Sequence, residues 1–174
     1  MKKAIYLGKT PLIKSSEEVK GTFTTIRNEK FYKIENYNKM QDFFMTIVSN
    51  SDHWMFLSSN GSLTAGRKNR DNALFPYYTV DKIHDYKGTT GSRTYVLIEK
   101  EEKTLLWEPF SPSGKKPYQT QNNIYKSIYG NKVIFEEVND DLGISFRYGW
   151  YNSEKYGWVK ESQVKNFTNE KIHI

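Results

Sequence analysis

The chain contains no cysteine, which excludes a disulfide framework and any thiolate metal site and is compatible with a reducing compartment. No apolar run approaches the ~18 residues that a membrane-spanning helix requires. Met1, Lys2 and Lys3 open the chain in the manner of an export signal, but too few apolar positions precede Lys9 to complete one. The three histidines, His53, His84 and His173, are far apart, and none stands two or four residues from another ligand type, so neither a metal nor another cofactor is expected. The Gly-x-Ser-x-Gly elbow of serine hydrolases is missing, as is the Gly-x-x-x-x-Gly-Lys-Ser/Thr loop that cradles phosphates. The expectation from these absences is a cytoplasmic protein with no membrane partner.

Aromatic residues are plentiful, with 13 Tyr, 10 Phe and 4 Trp. Such side chains suit half-buried pleated surfaces and so favour a sheet protein. The net charge of +6 raises nucleic acid as a partner. The lysines, however, are interleaved with acids, as in Glu99-Lys100-Glu101-Glu102-Lys103, whereas a phosphate-binding patch needs one sign of charge. No nucleic-acid partner is expected. At 174 residues the chain fits one domain.

The chain is organised around residues 53–81. An aromatic-rich run at 53–58 meets Asn60-Gly61, a dipeptide suited to a hairpin turn, and 63–67 returns as the second strand. Pro76, within 73–78, suits an edge or a strand start. Further strands are expected at 31–37, 43–48, 93–99, 104–110, 125–129, 133–138, 144–150 and 157–160, separated by turn residues. Residues 1–28 read as a lead-in segment, with one short strand allowed at 21–26, and 29–174 as the domain. Short strands with turns between them, and no long amphipathic helix, imply an all-β antiparallel sandwich. The last residues lack closing turn chemistry, and the expectation is the N-terminal part of a longer chain.

Trp54, Trp107, Trp150 and Trp158, with Tyr77 and Tyr78, are candidate sugar-stacking platforms, because the C–H face of a pyranose docks on an aromatic ring. Their commoner role in sheets is packing. Arg67 can donate through its fork to a sugar hydroxyl or a carboxylate, or pair structurally with Asp71 or Asp81. Asp81, Glu108, Glu136 and Glu137 supply carboxylates of the kind that cleave glycosides in pairs, but their spacing selects no pair.

The run Asp52-His53-Trp54-Met55-Phe56-Leu57-Ser58-Ser59-Asn60-Gly61-Ser62-Leu63-Thr64-Ala65-Gly66-Arg67, followed by Ala73-Leu74-Phe75-Pro76-Tyr77-Tyr78, Asp81-Lys82-Ile83 and Leu106-Trp107-Glu108-Pro109-Phe110, resembles the N-terminal domain of the cellobiose and chitobiose phosphorylase family. The resemblance covers residues 30–160 as an order of features. It implies a β-sandwich of the supersandwich, galactose-mutarotase-like type, with the catalytic acid carried by a helical-barrel module further along the same chain. The chain departs from the family in its Thr-Ala-Gly-Arg segment and in the shortness of its sandwich.

The leading expectation is a non-catalytic, carbohydrate-associated sandwich of a larger glycoside phosphorylase or hydrolase-like enzyme, with Trp54, Arg67, Tyr78 and Trp107 bordering the sugar. Its partners would be a carbohydrate and the barrel module, with a homodimer left open. One alternative is a freestanding mutarotase-like epimerase using His53 or His84 with Glu108. Another is a cell-wall-binding module, since Tyr156-Gly157-Trp158-Val159-Lys160 resembles the closing strand of bacterial SH3-like domains.

Overall fold

The computed structural model describes residues 19–100, 102–113 and 117–174, together with the backbone of two paired strands, β1 (Tyr6–Leu7) and β2 (Thr10–Pro11). The fold is all-β, antiparallel and sandwich-like. Its larger layer is a six-stranded sheet formed by β3 (Lys20–Ile26), β4 (Glu29–Glu35), β10 (Thr120–Ser127), β11 (Lys132–Asn139), β12 (Ile144–Ser153) and β13 (Gly157–Asn166), in the order β13-β12-β11-β10-β4-β3. Facing it are a three-stranded sheet, β5 (Phe44–Ile47), β6 (His53–Ser58) and β7 (Leu63–Arg67), and a hairpin, β8 (Val96–Lys100) and β9 (Lys103–Trp107).

Side chains alternate across a strand, so register decides which residues share a face. Ile34, Ile124, Phe135 and Tyr148 are aligned across β4, β10, β11 and β12. With Val133, Ile144 and Phe146 they meet Met45, Ile47, Met55, Leu57, Leu63 and Ala65 of the facing sheet to form the apolar core. Lys126 ties the two layers by donating to the carbonyls of Thr46 and Gly130.

The other face of the large sheet carries one continuous polar row: Lys20, Glu35, Asn123, Glu136, Arg147 and Gln163, one residue from each strand. This face is concave. Strands β3 and β13 are the two edges, and five steps of about 4.8 Å put them about 24 Å apart in a flat sheet. Yet Arg27, in the β3–β4 turn, pairs with Glu161 of β13 at 2.7 Å. Curling of the sheet also explains why Phe31, on this face and outside the main core, is only 2% exposed.

Several elements differ from the sequence reading. Lys20–Ile26, assigned to the lead-in, is an edge strand of the large sheet, so the boundary drawn between 28 and 29 falls inside the β3–β4 hairpin. The β6–β7 connection is a four-residue loop in which Ser58 N bonds Ser62 O at 2.8 Å and only Gly61 takes a positive φ. Residues 73–78 form no strand: one bridge joins Ala73 to Gly66, and the segment then crosses the outer face of the small sheet. There Thr64 Oγ1 donates to the Pro76 carbonyl at 2.7 Å, and a four-residue helix, α1 (Val80–Ile83), buries Ile83. Strand β13 runs to Asn166, six residues beyond its expected end. Its second half has both faces exposed, and this hides the alternation that a sequence reading looks for.

Candidate functional site

A cleft of about 310 Å³ opens where the β6–β7 loop, the segment after β9 and the end of the large sheet at the start of β10 and the close of β11 come together. Aromatic residues Tyr37, Trp107, Phe110 and Tyr118 line it, with the planar polar groups of Asn38, Asp42, Asn60 and Glu108 around them.

Glu137 is the buried anchor of this cleft. Its Oε1 accepts from Trp107 Nε1 at 3.0 Å, while its Oε2 accepts from Phe110 N and from Asn122 Nδ2, each at 2.9 Å. Phe110 holds a φ of 60°, a left-handed conformation that costs energy in any residue with a side chain. That conformation aims its N–H at the carboxylate. Above it, Glu108 accepts from Arg93 Nε at 2.7 Å and from Ser111 Oγ at 2.9 Å. Asp42 accepts from Asn60 Nδ2 at 2.8 Å, and Asn60 also donates to the carbonyl of His84 at 2.9 Å. Each carboxylate is engaged by donors, so the cleft presents an ordered hydrogen-bonding surface over an aromatic base.

The four residues expected to border a sugar do not share one rim. Trp107 lies in the cleft, but it is only 2% exposed and its indole N–H is spent on Glu137, so it supports the base of the cleft and offers no open stacking face. Trp54 is half-buried on the outer face of the small sheet, where its ring occupies the space a side chain at Gly66 would fill and meets Tyr77 edge-on at 5.7 Å. Tyr78 stacks on Tyr86 at 3.7 Å. Arg67 is at the end of β7, directly opposite His53. The expected pairing of Arg67 with Asp71 or Asp81 does not form: Asp71 lies against Arg70 at 3.7 Å, and the side chain of Thr79 holds Asp81 below its ordinary range.

The epimerase alternative needs a histidine and a carboxylate in one cleft. His84 Nδ1 is engaged by Ser58 Oγ at 2.8 Å, and His53 packs against Trp158. Neither lines the cleft with Glu108. Glu136 and Glu137, weighed as members of a carboxylate pair, are neighbours on β11 and therefore point to opposite faces of the sheet.

Sequence reasoning missed Asp42, Asn60 and Asn122 as site residues. Asn122-Asn123 on β10 is matched in register by Glu136-Glu137 on β11, so two adjacent amide–carboxylate pairs form, one on each face. Doubled Asn and doubled Glu beside the apolar residues of two successive strands were the available signal. Among the described residues no cluster of His, Asp and Glu has the geometry to hold a metal, and no helix is long and apolar enough to cross a membrane.

Fold and site together define an all-β antiparallel sandwich with a polar cleft over an aromatic base. Searches against models of known protein families and against curated proteins find no match.

Proposed function

We propose that the chain is a non-catalytic, carbohydrate-associated sandwich acting within a larger glycoside-processing enzyme. The observation that carries this reading is the cleft itself, in which planar amide and carboxylate groups surround an aromatic base. A sugar ring is recognised by that combination: apolar contact under its C–H face and paired hydrogen bonds to neighbouring hydroxyls. About 310 Å³ is at the small end of ligand pockets and suits one sugar ring with its neighbour outside. The engagement of Glu108, Glu137 and Asp42 by internal donors favours binding over acid–base chemistry.

Calorimetric titration of the chain with cellobiose and N,N′-diacetylchitobiose tests the reading. Because Trp107 is part of the folded interior, the informative variants are Asp42→Ala and Lys87→Ala at the exposed rim. Affinity falls about tenfold in each where a charged hydrogen bond is lost. Absence of heat with both sugars, or equal affinity in both variants, would refute it.

A further inference from the structure

A second polar cluster occupies the opposite end of the layer between the two sheets. His53 opens β6 and Arg67 closes β7, directly opposite one another. On the facing sheet Asn152 and Trp158 are likewise opposite across β12 and β13. The rings of His53 and Trp158 meet edge-on with centroids 4.8 Å apart, which joins the two pairs into one group. Gly157, at a φ of 76°, completes it: a Cβ there would lie 3.3 Å from His53 Nε2 and 3.4 Å from Arg67 Nη2, so both nitrogens border the same point.

Four side-chain atoms of this group, His53 Nε2, Trp158 Nε1, Asn152 Nδ2 and Asn152 Oδ1, are buried without a hydrogen-bond partner. Arg67 has no ion-pair partner among the described residues, and Glu154 on the adjoining β12–β13 tip is held by Asn50 at 3.0 Å. Unpaired buried polar atoms are unfavourable in proportion to their number, and here they coincide with an unneutralised guanidinium.

We propose that this end of the sandwich is a binding site for a small α-hydroxy carboxylate. One permanent unpaired charge, on a fork that matches a carboxylate in plane, selects a monoanion over a doubly charged phosphate. The indole N–H of Trp158 and the amide N–H of Asn152 donate to the carboxylate oxygens. Asn152 Oδ1 accepts, so the ligand carries a donor of its own. No carboxylate is among the enclosed atoms, Glu154 being exposed on the tip outside them, so the cluster holds no counter-charge for an ammonium, and that donor is a hydroxyl. The atoms are enclosed, and the ligand enters by lifting the exposed tip at 153–156, which the Asn50–Glu154 bond pins to the β5–β6 loop.

The test is a ¹H–¹⁵N titration of the full chain with glycolate, acetate, inorganic phosphate and glucose. It reads the Trp158 indole N–H, assigned by its disappearance in Trp158→Phe. Glycolate shifts this resonance saturably, acetate binds about fivefold more weakly for want of one neutral hydrogen bond, and glucose leaves it unmoved. Arg67→Gln, an exposed change whose other indole resonances report an intact fold, weakens glycolate at least about tenfold. An indole unmoved by glycolate, or moved equally in Arg67→Gln, overturns the site. Equal affinity for acetate overturns the hydroxyl, and tighter phosphate binding overturns the single charge. Sugar binding in the other cleft is read by different residues, so either proposal can fail without the other.

Discussion

The two faces of the six-stranded sheet each bury a glutamate from the same dipeptide, and they neutralise it differently. On the face turned to the apolar core, Glu137 receives three neutral N–H donors and, among the described residues, no cation. On the concave face, Glu136 receives Arg147 Nη2 at 2.5 Å, Tyr125 Oη at 2.5 Å and Asn123 Nδ2 at 3.0 Å. Burial by itself raises the Glu136 carboxyl, but these hydrogen bonds and the arginine charge outweigh it and hold the group below its usual range. Tyr125 is pushed well above the ordinary phenol range by burial and by the adjacent carboxylate. The comparison teaches that a buried carboxylate needs saturated geometry before it needs a counter-charge. One face uses it to shape a cleft and the other to cross-link strands.

Experiments can break this comparison at different strengths. The largest effect belongs to the apolar face: Phe135→Ala, at a position 1% exposed, costs about 3–5 kcal/mol in a denaturant melt. On the concave face Arg147→Met strands Glu136 and costs about 3 kcal/mol, whereas the paired change Glu136→Leu with Arg147→Met costs clearly less, because no unpaired charge remains. A double-mutant cycle measures that difference, and additive costs would deny the cross-link.

Acid sharpens the contrast. Because the folded pKa of Glu136 is depressed, its stabilisation is complete above the ordinary glutamate value of about 4.3 and is lost as pH falls through the lower folded value. In Glu136→Gln that acid-side loss is absent from stability measured against pH. The smallest effect is at alkaline pH. Burial lowers Lys126 to about 8, so between there and about 10.4 the unfolded chain binds its proton more tightly and stability climbs with pH. Lys126→Met removes that climb.

The hairpin of β6 and β7 was legible because an aromatic-rich run of strand length meets Asn60-Gly61 and returns. The strand expected at 93–99 was legible as an aromatic and β-branched run, whereas the structure begins it at Val96 and buries Val96 and Ile98 while exposing Leu97. Strand β3 was read only as a short strand allowed at 21–26 within the lead-in, and the second half of β13 escaped, because edge strands largely exposed on both faces have no period to read. Of the site, Trp107 and Glu108 were named as aromatic and carboxylate, but their roles were not legible. Whether an indole stacks on a ligand or donates to a buried glutamate depends on what lies opposite, and Glu137 is 30 residues away.

What the sequence by itself determined is the class of fold: aromatic and β-branched segments of strand length, punctuated by turn residues, can bury their faces only in packed antiparallel sheets. What only the tertiary structure decided is the sense of curl and the partners of each buried polar group. Both are set by register between strands distant in the chain. A shift of β11 by one residue would exchange the Glu136 and Glu137 faces, leaving Glu136 in the apolar core without its arginine and a cleft without its anchor.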